Sequence, residues 1–180
     1  GQKSYVTGGA DADFINTLVQ IENQGSSMVV IDRACDGVIV ERKFSSLDGS
    51  HHAAIKFDNV RVPVTHIIGE PGSGLPRAMR QIGDTRLLFA AHACGYMLWI
   101  IDMLTDHLKS TDKSGTPRGD KDVVRLRYAD LRVKAFAARS MLYRTARIAD
   151  QGDNIVNEAM TCKLFATEAV GELVDTAIQL

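Results

Sequence analysis

The chain has 180 residues, 45% of them hydrophobic and 24% charged, and a formal net charge of −1 at pH 7. Such values are ordinary for a globular protein, and the near-zero charge argues against a nucleic acid or an anionic membrane as the main partner. No apolar run reaches the ~18 residues that cross a bilayer, so we expect no membrane span. The three cysteines show no CxxC spacing, which argues against a zinc knuckle or a disulfide framework and favours a reducing, cytoplasmic setting.

Short runs rich in Val, Ile and Phe, separated by Gly, Asp and Asn, fill the first third of the chain. The predicted strands occupy residues 1–9, 14–20 and 27–32 and a run that begins at Val38. Side chains alternate along a strand, so Tyr5 and Thr7 should share one face, with Ser4 and Val6 on the other. Short strands at this spacing favour an antiparallel sheet or barrel over βαβ units.

The stretch from Ile55 to Gly74 separates the β part from the helical part. Its apolar residues alternate with one extra residue at Asp58-Asn59, which predicts a bulged strand. Pro63 cannot donate a hydrogen bond, so the strand should end there at a sheet edge. The glycines at 69, 72 and 74 predict a tight reversal before a helix. This loop lacks the Walker ending and the GxGxxG spacing, so we interpret it as a connection and not as a phosphate cradle.

The adjacent histidines His51 and His52, together with Asp48, leave two interpretations open, a metal site and a solvated turn. Neighbouring residues of a strand point to opposite faces, and no third ligand lies at a useful spacing. The pattern therefore favours the turn.

Three long segments after residue 74 have helical periodicity. We predict helices at about 75–108, 123–150 and 155–180. The first is apolar on nearly all sides and should be buried on nearly all sides. The other two carry stripes of small apolar residues at steps of four and three, typical of close packing in an up-down bundle. His92 is interpreted as a hydrogen-bonded core or interface residue, with catalysis as the alternative, and Cys162 as a buried inert thiol.

The predicted fold class is therefore α+β, an antiparallel β-sheet or barrel segment followed by an up-down α-helical bundle. The boundary is placed between residues 74 and 75. The chain begins without Met in a β-like run and finishes inside a helical pattern, so we predict an internal piece of a longer protein.

Over essentially its whole length the chain resembles the flavin-dependent acyl-CoA dehydrogenase family. The resemblance rests on the order and spacing of several short motifs. These are Gly-Gln-Lys-x-Tyr-Val-Thr-Gly at 1–8, Phe-Asp-Asn-Val-Arg-Val-Pro at 57–63, Ile-Gly-Glu at 68–70, Gly-x-Gly at 72–74, Thr85-Arg86 ahead of Ala90-Ala91 and Gly95, and Asp-Thr-Ala-Ile-Gln at 175–179.

This resemblance implies that residues 1–74 form the second part of a middle β domain and residues 75–180 the first three helices of a C-terminal bundle. It implies an FAD cofactor, an acyl-CoA substrate, an electron-transfer flavoprotein or similar acceptor, and a homotetramer or heterotetramer. The implied reaction is α,β-dehydrogenation of the thioester. A carboxylate removes the α-proton while the β-hydrogen leaves as hydride to the flavin.

The resemblance also assigns roles to four residues of this chain. Tyr5 packs against the flavin ring and Thr7 forms a hydrogen bond near its N5 atom. Arg86 helps to hold the coenzyme A part of the substrate, with Thr85 next to the acyl site. No catalytic residue is assigned, because the family's base lies either beyond Leu180 or at the position that is Thr85 here.

Two departures from the family accompany these assignments. An Arg-x-x-Phe-Gly motif that holds the FAD pyrophosphate of a neighbouring subunit is replaced by Thr111 to Gly115, and a Gln at the next helix start is Asp122. Lys109, Lys113 or Arg118 could supply the missing charge. Alternatively, the chain belongs to a non-catalytic or flavin-sharing structural subunit of a heteromeric enzyme. A third hypothesis is an unrelated interaction module that binds neither FAD nor CoA thioesters.

Overall fold

The computed structural model describes residues 1–180, which divide into two compact units, Gly1–Met79 and Arg80–Leu180. Strands come first and long helices follow, which confirms the predicted α+β class. The strands are β1 (Gln2–Thr7), β2 (Phe14–Ile21), β3 (Gly25–Asp32), β4 (Val38–Ser45), β5 (His51–Phe57) and β6 (Ile67–Ile68). The helices are α1 (Gly74–Lys109), α2 (Asp122–Asp150) and α3 (Val156–Gln179), and short 3₁₀ turns lie at Val64–His66 and Arg118–Asp120.

Two three-stranded antiparallel sheets make up the first unit, one in the order β1-β5-β4 and the other in the order β2-β3-β6. The β2–β3 hairpin is regular from Phe14 opposite Asp32 to Ile21 opposite Gly25, as its alternating sequence predicts. Ile15, Ala53 and Ile55 are buried in a small apolar core.

Two expectations for this unit are wrong in detail. Strand β5 ends at Phe57 and does not continue to Pro63, because Asn59 adopts a left-handed conformation (φ 55°) that turns the chain out of the sheet. His51 and His52 do not form a turn. They begin β5, where His51 pairs with Ser45 of β4.

Strand β1 carries a bulge that was not predicted. Lys3 lies opposite Ile55 and Val6 lies opposite Ala53, so β1 uses one more residue than β5 over the same length. Tyr5 falls inside this bulge with φ 57°.

The second unit is an up-down arrangement of three helices. Near the start of α2, Arg127 Nη1 donates to Gln179 Oε1 at the end of α3 (3.1 Å), so the two helices are antiparallel. Tyr128 of α2 shares a hydrogen bond with Thr105 near the end of α1. The small-residue stripes of α2 and α3 face the core as predicted, and the buried members are Leu131, Ala135, Ala138, Ala159, Cys162, Ala166, Ala169 and Leu173.

Helix α1 differs from its prediction, because only one of its faces is buried in this chain. The buried face includes Ala90, Ala93, Met97, Ile101 and Leu104. Large apolar side chains remain exposed on the other side, namely Leu88, Phe89, Tyr96, Leu98, Trp99 and Met103. By length and composition alone α1 could also cross a membrane, although core helices of soluble proteins pass the same test. The expectation of no membrane span therefore stays a prediction.

Candidate functional site

Tyr5 presents its ring to solvent from the first sheet. The side chain is 68% exposed, and the bulge in β1 places it beside Phe44 of β4, with ring centroids 4.9 Å apart and ring planes 25° apart. The guanidinium of Arg42 lies 4.7 Å from the centre of the Phe44 ring. The result is an exposed aromatic surface with a cation beside it.

Thr7 lies on the same face of this sheet as that aromatic surface. It pairs with His52, and His52 pairs in turn with Phe44, so the three side chains form one row across the strands. Thr7 is exposed, and its hydroxyl forms no hydrogen bond within the chain. The alternation predicted that Tyr5 and Thr7 share a face, and the cross-strand pairs agree even though a bulge lies between them.

Thr85 and Arg86 lie together on α1 in the second unit. The Thr85 hydroxyl donates to the carbonyl of Gln81 one turn earlier (2.9 Å), so its methyl group and its exposed side remain free. Arg86 is half-buried, forms no salt bridge, and its Nη1 atom is buried without a hydrogen-bond partner. A buried charged donor without a partner is costly, so an acceptor that reached this nitrogen would stabilise Arg86.

The loop between α1 and α2 is organised around the carboxylate of Asp112. This group accepts hydrogen bonds from the Ser114 amide (2.8 Å) and hydroxyl and from Lys121 Nζ (3.0 Å). Thr111 also pairs with Pro117 across the loop. Hydrogen bonds from Ser114 and Lys121 hold the pKa of Asp112 well below its usual range, so this carboxylate stays ionised at neutral pH and forms an ion pair with Lys121.

Lys109, Lys113 and Arg118 are the cations that could replace the missing charge, and they differ in whether a carboxylate already pairs with them. Lys109 Nζ lies 3.3 Å from the carboxylate of Asp106, whereas Lys113 forms no ion pair and is exposed. Arg118 donates from Nε to the Ser110 hydroxyl (3.4 Å) and has no carboxylate partner. Lys113 and Arg118 are therefore the two cations that could meet an anion.

The structure also shows the surroundings of two further residues of interest. His92 is exposed on α1, where its ring meets Phe89 edge-on, so it is not a core histidine in this chain. Cys162 is buried as predicted, and burial raises the pKa of its thiol, which makes it a poor nucleophile.

A cleft of about 780 Å³ in the first unit lies elsewhere. It is lined mainly by β2, β3 and the segment that follows β5, and neither Tyr5 nor Thr7 contributes to it. Sequence reasoning missed Phe44 and Arg42, the neighbours of Tyr5, because cross-strand register cannot be read from a single strand.

The chain is similar to known proteins over its whole length. Residues 72–180 match the family model described as "Acyl-CoA dehydrogenase, C-terminal domain". An acyl-CoA dehydrogenase of Bacillus subtilis is 28% identical over all of this chain and 49% of its own length, and the human mitochondrial short-chain specific acyl-CoA dehydrogenase is 27% identical over all of this chain and 45% of its length.

A solved structure of a probable acyl-CoA dehydrogenase from Mycobacterium abscessus superposes with a TM-score of 0.90 at 26% identity, over 99% of this chain and 49% of that one. The chain thus spans about half the length of the curated relatives it matches. The matched fold and the family model agree with each other and with the motifs of the sequence. The chain belongs to the acyl-CoA dehydrogenase family.

Proposed function

We propose that this chain is part of an FAD-dependent acyl-CoA dehydrogenase, with residues 1–74 in its middle β domain and residues 75–180 in its C-terminal bundle. The proposed reaction is the α,β-dehydrogenation of an acyl-CoA thioester. The observation that carries the proposal is Arg86, a cation with a buried, unpartnered N–H on the helix that the family model covers. An acyl-CoA substrate carries phosphates that such a guanidinium binds well.

In this proposal Arg86 fixes the coenzyme part of the substrate, and Thr85 lies beside the acyl part. The Thr85 hydroxyl is committed to the Gln81 carbonyl, which leaves its methyl group as the surface for an acyl chain. Neither residue has a group that could remove the α-proton. Both therefore bind and orient, and we assign no catalytic residue in this chain.

Tyr5 and Thr7 of the first sheet have the properties needed to contact the ring of a flavin. A planar ring needs an apolar or aromatic surface and a donor at its edge, and Tyr5 offers the first while the free hydroxyl of Thr7 offers the second. FAD, when bound, supplies the hydride acceptor. Tyr5 covers the ring and excludes water, and Thr7 donates a hydrogen bond to its edge.

The exposed apolar face of α1 supports an oligomer. Phe89, Tyr96 and Trp99 are each more than half exposed, and side chains of this size rarely stay in water together. We propose a homotetramer or heterotetramer that covers this face. A cytoplasmic location and an electron-transfer flavoprotein as acceptor stay predictions.

The experiment that tests the role of Arg86 measures steady-state kinetics of the complete protein with an acyl-CoA substrate. Arg86→Ala removes a charge-assisted hydrogen bond of about 1.5–3 kcal/mol, so KM should rise roughly 10- to 150-fold while kcat changes much less. Arg80→Ala is the matched control, because Arg80 is exposed on the same helix and has no ion pair. Equal KM values for both variants would refute the assignment.

One observation favours a second candidate, a structural subunit that either shares a flavin site or is not catalytic. The loop of Thr111 to Gly115 has the neutral Thr111 where the family motif has its Arg, and the ionised carboxylate of Asp112 lies next to it, so this segment offers an anionic pyrophosphate no guanidinium. Expression alone and together with a second family member distinguishes the two candidates. Turnover by this protein alone contradicts the second candidate, and turnover only on co-expression contradicts the first.

A further inference from the structure

Strand β4 carries a bulge of its own, across β5 from the bulge of β1. Val40 lies opposite Ile55 but Arg42 lies opposite Ala54, so β4 uses one more residue than β5 between these two pairs. The bulge of β1 lies at the same level, because it also begins at the pair that Ile55 forms. Bulges bend a strand and re-aim its side chains, and they are frequent beside functional sites.

The bulge of β4 determines on which face of the sheet Phe44 lies. In an unbroken alternation Phe44 would share the face of Val40, which packs against the buried core. The extra residue reverses this order, so Phe44 pairs with His52 on the opposite, exposed face. Lys43 pairs with the buried Ala53 instead. The strand thus places a large apolar ring outside the core and a charged residue on the core side.

The ring that the bulge turns outward is the one on which Tyr5 stacks, with the two centroids 4.9 Å apart. The guanidinium of Arg42, directly after the bulge, lies 4.7 Å from the centre of the Phe44 ring. Tyr5 itself has φ 57°, which is a strained conformation for a bulky residue. Its hydroxyl forms no hydrogen bond within the chain and its side chain is 68% exposed, so the stack on Phe44 is the contact that orients this ring.

We propose that Phe44 is a positioning residue for the flavin and that it acts through the ring of Tyr5. The inference rests on the function proposed above, in which Tyr5 covers the flavin ring. Both residues belong to one sheet of the first unit and contact each other directly. Aromatic rings attract each other best in particular relative orientations, so a Tyr5 ring held at one tilt binds a planar ligand better than a rotating one. A ring that is already ordered also loses less conformational entropy when the ligand binds.

The test compares Phe44→Leu with Phe44→Tyr in the complete protein, titrated with FAD. Leucine keeps an apolar side chain at this half-buried position but removes the ring, whereas tyrosine keeps the ring. Phe44→Leu should raise the Kd for FAD about 2- to 10-fold. It should also raise the fluorescence of the bound flavin, because a tyrosine ring held against a flavin quenches its emission.

Two variants serve as controls for these measurements. Phe44→Tyr should stay within about 2-fold of the wild type in Kd and should leave the flavin fluorescence quenched, because it restores the aromatic contact. Phe14→Leu is the matched substitution in the other sheet of the same unit, where Phe14 is 65% exposed. It should change neither the Kd for FAD nor the flavin fluorescence.

A double-mutant cycle then shows whether Phe44 acts through Tyr5. In a Tyr5→Ala background, Phe44→Leu should not raise the Kd for FAD further. An unchanged Kd or an unchanged flavin fluorescence in Phe44→Leu refutes the positioning role while the proposed function stands. The same rise in Kd with and without Tyr5 refutes it too. If the wild-type protein binds no FAD, the proposed function fails and this inference fails with it.

Discussion

The substitution Gly74→Ala tests the junction between the β2–β3 hairpin and α1. The new methyl group would lie 2.5, 2.6 and 2.7 Å from the Cα, C and N atoms of Ser27, all of them backbone atoms. Ordinary contact needs about 3.5–4.0 Å, so the two segments must separate by roughly 1 Å. That shift breaks the Ser26–Leu75 and Ser27–Gly72 hydrogen bonds.

The magnitude follows from those losses. A lost helix cap costs about 1 kcal/mol, and the hydroxyl of Ser27, buried without a partner, costs about 1–3 kcal/mol. Alanine returns at most about 1 kcal/mol through its helix propensity. We expect a net loss of about 1–4 kcal/mol, or a fall in Tm of about 2–16 °C for a protein of this size.

Circular dichroism during thermal unfolding measures this loss, with Gly171→Ala as the matched control. A Cβ on Gly171 of α3 meets no atom within 4 Å, so that variant should be as stable as the wild type or up to about 1 kcal/mol more stable. If Gly74→Ala unfolds at the same temperature as Gly171→Ala, the contact between the loop and β3 is not as described.

Three further predictions concern the core, the loop and the thiols. Leu173→Ala, at a fully buried position of α3, should cost about 2–5 kcal/mol in urea unfolding, whereas Ile178→Ala, 82% exposed, should change stability by less than about 0.5 kcal/mol. The pKa of Asp112 is lowered in the folded chain, so its contribution to stability is complete above about pH 5 and is lost as pH falls below about 4. Asp112→Asn should remove that part of the acid dependence, as followed by NMR of the loop amides, and an unchanged profile would contradict it. A thiol reagent should label the half-buried Cys35 first and Cys162 only on unfolding, and rapid labelling of Cys162 in the native protein would show that it is not buried.

The helical part of the fold could be read from the sequence because its signal is local and repeated. The stripe through Ala159, Cys162 and Ala166 determines which face of α3 is buried, and the structure buries that face. The same reasoning overestimated the burial of α1. Periodicity shows which faces are apolar but not which neighbour covers them, and in this chain Trp99 remains exposed.

The details that the sequence did not predict depend on contacts between distant segments. Ser26 and Leu75 are 49 residues apart. A glycine-rich loop indicates that another backbone segment approaches closely, but it does not show which segment that is. Likewise, the alternation from Phe57 to Val62 continues past the true end of β5, because the left-handed turn at Asn59 overrides it. The stacking of Tyr5 on Phe44 requires the register of two strand pairs.

The four residues assigned by resemblance illustrate what a structure adds to such an assignment. Tyr5 and Thr7 share an exposed face, and Arg86 has a donor without a partner beside Thr85. These observations support the proposed binding roles.

The central claim is tested most directly by the visible absorbance of the complete protein, reconstituted with FAD and titrated anaerobically with acyl-CoA substrates of several chain lengths. The account predicts a yellow protein whose flavin absorbance is bleached as the substrate is oxidised. A protein that stays colourless after reconstitution, or a bound flavin that no acyl-CoA bleaches, would contradict it.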